Sequence, residues 1–297
     1  MFKNEAGQIR SGWLIGLAIF SSVLIQNIFV LPGYLYAVVE EMTNNPNGID
    51  VDNMMTLLDD RPWLYALTNV LGYIAGITTL LLLWKFVNKK KVKQLGFSNT
   101  TKNLLVGLVV GAISIVLIFF ILYVTNNLQL VNSFTKPQFS NYTLAFFLFF
   151  IFVGISEELT FRGYIMSTLA DRGNSKKVIY IVSALVFGIA HIANPNVAVL
   201  GIVNIFLVGI LFSYMYEKTQ SLWMPIGYHI TWNYFQGNVF GFPVSGTTPH
   251  GIYMVDVSKG NDLLTGGSFG LEGGILATLM IALGYVFTYM FTRNKVA

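Results

Sequence analysis

The chain has no cysteine among its 297 residues. Disulfides, thiol nucleophiles and cysteine-ligated metals are therefore excluded, and cysteine usage says nothing about the redox compartment. Charge is scarce too: Asp, Glu, Lys and Arg together make up 11% of the chain, and there are three histidines. What fills the remaining space is apolar, 54% of residues, with a mean hydropathy of +0.62. A water-soluble domain of this size does not tolerate that profile. The expected fold is all-α, a polytopic membrane protein embedded in a lipid bilayer.

The net charge of +4 does not point to nucleic acid. Lys89, Lys90, Lys91 and Lys93 form one cluster beside a hydrophobic span, where basic residues set topology. Near the amino terminus, Lys3 and Arg10 precede an apolar run that continues to about Val39 without an A-x-A-like site, which predicts a retained first span rather than a cleaved signal. A helix needs about 20 apolar residues to cross the hydrocarbon core, and about eight transmembrane helices meet that need. They fall near 12–38, 63–87, 104–125, 143–170, 178–193, 198–216, 222–240 and 273–292.

Connections alternate in charge. The 40–61 loop carries Glu40, Glu41, Asp50, Asp52, Asp59 and Asp60 against Arg61, whereas 85–102 is rich in lysine. With Arg172, Lys176, Lys177, Lys218, Arg293 and Lys295 on the same side as that lysine cluster, both termini are expected in the cytoplasm. A multi-pass protein of a bacterial plasma membrane fits this surface. The 241–272 connection, Gly-rich and short of apolar anchors, is expected to face outward and to be mobile. Three regions follow: 1–103, two spans and a basic loop; 104–240, a helical core; and 241–297, the outer loop and last span. Gly107 and Gly111 form a G-x-x-x-G whose first reading is internal helix packing and whose second is a dimer face.

Polar residues inside the spans are few, and charge in the bilayer centre costs about 2.5–3.5 kcal/mol per residue even on the lenient insertion scale. By this map every acidic residue but Glu157 and Glu158 lies in a loop or at a span end, and Arg162, His191, His229 and Asn233 join them inside. Glu158 and Arg162, Phe187 and His191, and His229 and Asn233 are i, i+4 pairs, each on one helix face. At 1.5 Å per residue, Glu157 and His191 both lie ~21 Å from the cytoplasmic ends of their spans, and Asn233 ~18 Å. Singly, each has a structural explanation: an intrahelical ion pair, a packing histidine, an interhelical hydrogen bond. Together, at one depth and on three spans, they describe a site.

Arg162 neutralises one carboxylate well, and Glu158 is the better placed. Glu157 is left over, and an unpaired carboxylate in a low-dielectric setting is a strengthened base able to activate water. His191 would share the proton, while His229 and Asn233 would donate to an oxygen that becomes negative. Water, base and oxyanion donors suit hydrolysis of a carbonyl, and the carbonyl at hand in a membrane is a peptide bond.

The series Glu157-Glu158-x-x-x-Arg162, Phe187-x-x-x-His191 and His229-x-x-x-Asn233 resembles the three motifs of the CAAX-protease and bacteriocin-processing (CPBP, or Abi) family of intramembrane proteases. The resemblance covers about residues 104–240. It implies an all-helical core and an endopeptidase with a glutamate-activated water, with Glu157 and His191 as base and His229 and Asn233 at the oxyanion. Glu158, Arg162 and Phe187 would support them, and the cavity would open toward the cytoplasm; the residues themselves lead us to expect no cofactor or metal, although the family has also been described as metal-dependent. The substrate would be a peptide or membrane protein.

Three rival readings stand beside it. Two histidines and a glutamate would give a zinc ion three ligands and an open position, although the H-E-x-x-H spacing is absent and Asn is a poor zinc ligand. A non-catalytic scaffold or immunity protein would use the same fold. A transporter would use intramembrane charge for proton relay, but the broken-helix pairs and repeat symmetry are missing.

Overall fold

The structure, a computed structural model, describes residues 2–3, 7–44, 58, 60–98, 100–247 and 250–293. Asp50, Asp52, Asp59 and Lys295, which enter the topology argument above, lie outside the described residues. Eight principal helices follow the apolar segments: α1 (Ser11–Asn44), α2 (Pro62–Leu82), α3 (Thr100–Val124), α4 (Asn141–Glu158), α6 (Lys176–Ala190), α7 (Val199–Thr219), α8 (Trp223–Tyr234) and α10 (Ile275–Thr292). Two short helices, α5 (Met166–Asp171) and α9 (Asp262–Thr265), complete the set.

Among the described residues, six helical segments are long and apolar enough to cross a membrane, by length and composition. The fifth and seventh predicted spans correspond to shorter helices. α6 has 15 residues, and α8 has 12 before a π-turn at Phe235–Val239. α8 is short because it is central: from Met224 to Asn233 every residue is buried, so protein rather than lipid surrounds it. α1 outruns its predicted end, and Glu40 and Glu41 lie within the helix, both paired with Arg61 at 2.9 and 3.5 Å.

α3 packs most extensively against α8, α1 against α2, α2 against α4, α6 against α7, and α10 against α7. Gly107 and Gly111 make the α3–α8 contact. A Cβ on Gly107 would lie 2.1 Å from the Met224 carbonyl oxygen, and one on Gly111 would lie 2.4 Å from that of Tyr228. The G-x-x-x-G is thus a contact within the chain. Around it Ile115, Ile118, Leu122, Leu211, Met215 and Met224 form the largest apolar cluster.

The 241–272 connection departs from the expectation of mobility. Phe242, Phe269 and Leu271 are each 1% exposed, and β2 (Val255–Asp256) pairs antiparallel with β1 (Gln129–Leu130). Here glycines serve close approach rather than freedom. Gly246, at φ +87°, sits where a Cβ would meet the Pro195 carbonyl oxygen at 1.8 Å, so the segment lies flat on the turn after α6.

Candidate active site

α4 ends at Glu158 and the chain continues as a π-turn, Leu159–Ile165, before α5. π-turns inside helices recur at functional sites because the wider winding re-aims side chains. Arg162 lies in this one, fully buried at 0% exposure. Its Nη1 donates to Glu158 Oε1 at 2.9 Å and its Nη2 to the Gly209 carbonyl oxygen at 3.1 Å. The guanidinium also lies over the rings of Phe187 at 4.4 Å and Phe212 at 5.2 Å. A buried cation needs this many partners, because an unpaired one would cost several kcal/mol.

Glu158 has a second commitment. Its Oε1 lies 3.0 Å from His229 Nδ1. A carboxylate ion-paired with arginine accepts only, so Nδ1 carries the proton and the ring is fixed with Nε2 facing the cavity.

Glu157 points elsewhere. Its Oε2 is 3.8 Å from His229 Nε2 and 4.0 Å from His191 Nε2, and that oxygen makes no direct hydrogen bond among the described residues. These gaps are too long for direct bonds, but a water at ~2.8 Å from both ends of either gap fits.

His191 is not inside its helix as the sequence map has it. It is the residue just after α6, and its Nδ1 lies 2.8 Å from the Phe187 carbonyl oxygen. That contact makes Nδ1 a donor and leaves Nε2 an acceptor toward the cavity in the neutral ring. Phe187 packs edge-on against His191, with centroids 4.7 Å apart.

Asn233 is buried on α8 and lines the same cavity as Glu157, His191 and His229. This cavity, of about 820 Å³, has an aromatic wall that includes Tyr65, Tyr73, Phe149 and Phe150. The structure therefore brings together Glu157, Glu158, Arg162, Phe187, His191 and His229, with Asn233 in the shared cavity.

Sequence reasoning missed Gly209 and Phe212 on α7. A backbone carbonyl and an aromatic ring on an apolar helix leave no pattern to find. No group of three His, Asp or Glu side chains among the described residues is arranged to hold a metal ion. Glu157, His191 and His229 come nearest. Their separations of 3.8 and 4.0 Å exceed the ~3.3 Å between ligands of a tetrahedral zinc bound at ~2.0–2.1 Å.

Residues 139–235 match the family model described as "Type II CAAX prenyl endopeptidase Rce1-like". Over this segment, about a third of its length, the chain is similar to the CPBP family, as its three motifs imply. The match runs from just before α4 to the end of α8, so it takes in all three CPBP motifs, and it supports a membrane endopeptidase of the CAAX-protease type. No curated protein and no solved structure matches the chain.

Proposed function

We propose that this CPBP-like protein is an intramembrane endopeptidase in which Glu157 activates the water. One observation carries the reading: two adjacent carboxylates face different partners. Glu158 is held by Arg162 and His229 Nδ1, while Glu157 looks into the cavity toward two imidazole Nε2 atoms.

In this reading a water between Glu157 and His191 loses its proton to Glu157 as it attacks the scissile carbonyl, and the proton passes from there to the leaving amine. His229 and Asn233 stabilise the oxyanion. For His229 that role requires a proton on Nε2 as well as the one fixed on Nδ1 by Glu158. Arg162 and Glu158 position it. The motifs of 104–240 form the catalytic unit, with 1–103 and 241–297 flanking it. Both termini lie in the cytoplasm of a bacterial cell, and the substrate is a peptide or membrane protein.

Wild type and Glu157→Gln, each incubated with a peptide mixture in detergent and read by mass spectrometry, test this reading. Cleavage by wild type alone, surviving exhaustive chelation, is the expected result. Activity lost to chelator and restored by zinc would transfer the role to a metal. Normal cleavage by Glu157→Gln would overturn the water activation assigned here, and a cellular role that persists in that variant without cleavage would indicate a scaffold.

A further inference from the structure

The cavity is unequal along the bundle axis. Toward the end that carries Lys89–Lys93, its lining includes Phe161, Phe212 and Tyr228. Beneath that lining Arg162, Tyr164, Leu211, Met215 and Met224 are all at most 1% exposed. A separate cavity of about 440 Å³, lined by Lys90, Asp171, Lys176 and Glu217 among others, lies on the far side of this layer. Toward the opposite end the lining continues through Tyr65 at the start of α2, through Asn194 and Asn196 beyond α6, and through Ser245, Thr247 and His250 of the 241–272 segment. Asn196 and Thr247 are exposed there. The polar rim therefore lies at the end where α2 and α4 begin and α6 finishes, and the layer of buried side chains around Arg162 lies toward the end of the basic connections.

We infer that the cavity is entered from the face opposite the basic connections, which the positive-inside rule makes the outer face of the membrane. The bond cut then belongs to a polypeptide presented on that side. This differs from the cytoplasmic opening that the family resemblance implies. It also fixes the place of the reaction in a sequence: translocation across the membrane supplies the substrate, and the products are released outside. The nature of the bond rests on the endopeptidase reading, whereas the direction of entry does not.

The test is covalent labelling of single cysteines, for which a cysteine-free chain is a clean background. Thr160→Cys and Ala190→Cys place thiols on the cavity wall. Ala190→Cys carries the same test where Thr160→Cys lowers expression. Lys93→Cys marks the basic connection and Lys259→Cys the 241–272 segment, both exposed positions. The probe is a membrane-impermeant quaternary-ammonium methanethiosulfonate, applied to intact cells and then to permeabilised ones.

The expected result is labelling of the cavity cysteines and Lys259→Cys in intact cells, with Lys93→Cys labelled only after permeabilisation. Cavity cysteines that label together with Lys93→Cys, or that label from neither face, overturn outer entry. Labelling of Lys93→Cys from outside with the cavity cysteines reached only from inside overturns it through inversion of the whole chain. Because the readout is a label and not cleavage, a chain that cleaves peptides but labels from the basic side keeps the endopeptidase reading and loses this one. A chain that labels from outside but cleaves nothing does the reverse.

Discussion

Glu157 and Glu158 are neighbours in sequence and differ in everything the fold supplies. Successive positions on a helix point about 100° apart, so one carboxylate meets Arg162 and the other meets the cavity. Glu157→Gln keeps shape and hydrogen bonding but takes up no proton, and cleavage is expected to fall by about 10² or more while the protein still folds. His191→Ala should cost a similar factor, and the double variant little more than either alone, because groups that act as a unit are not additive. Peptide turnover by the four proteins measures this. Strict multiplication of the two losses would separate the roles.

Arg162 behaves differently, being fully buried between Glu158, the Gly209 carbonyl and two rings. Arg162→Ala strands a buried carboxylate, which costs about 3–5 kcal/mol, so loss of folded yield in detergent is expected. Glu158→Gln with Arg162→Met should recover yield without full activity, since His229 Nδ1 then loses its charged acceptor. Normal expression and activity of Arg162→Ala would show that the pair is not structural.

At the scale of elements, the α3–α8 contact holds the second half of the site. α8 carries His229 and Asn233, and its height against α3 is set by close backbone approach through Gly107 and Gly111 together with the Tyr228 hydroxyl, 3.2 Å from Ser114 Oγ. Gly107→Val drives carbon into the Met224 carbonyl, where a Cβ would already stand 2.1 Å away. Overpacking of this kind costs about 1–3 kcal/mol or more. Thermal unfolding in detergent should show a lowered midpoint with unchanged oligomeric state, whereas a dimer face would give an unchanged midpoint and a changed oligomeric state. The π-turns after Glu158 and after Tyr234 adjoin two of the three motifs.

For the molecule as a whole, the 241–272 segment is tied to the bundle through a second buried carboxylate. Glu272 accepts from Gln236 Nε2 at 2.5 Å and from Ser245 Oγ at 3.2 Å. Burial raises its pKa above the ordinary carboxylate range, an effect only partly opposed by these hydrogen bonds. A carboxyl whose folded pKa is raised contributes stability that is full below the unfolded value and is lost as pH rises through the folded one. The unfolding midpoint of wild type is therefore expected to fall as pH rises above the ordinary carboxylate range, and Glu272→Gln should flatten that dependence. Equal slopes for the two proteins would remove Glu272 from the account.

Composition by itself determined the class of protein, because apolar length and scarce charge leave a chain no other stable setting than a bilayer. The i, i+4 spacings also made the Glu158–Arg162 pair readable, since that contact is local to one turn. Matching depth read from rise per residue grouped Glu157, His191, His229 and Asn233, although it could not say which atoms face which. Only the tertiary structure decided that His229 bonds Glu158 through Nδ1, that His191 stands just beyond its helix, and that Gly209 and Phe212 on α7 contact the arginine. It also decided that the Gly-rich 241–272 segment is packed and that it lines the cavity through Ser245, Thr247 and His250. Each of these depends on contacts between segments far apart in the chain. The sequence specifies such contacts through volume and shape, as at Gly107 and Gly246, where the absence of a side chain is the signal and its meaning lies in the backbone that comes to fill the space.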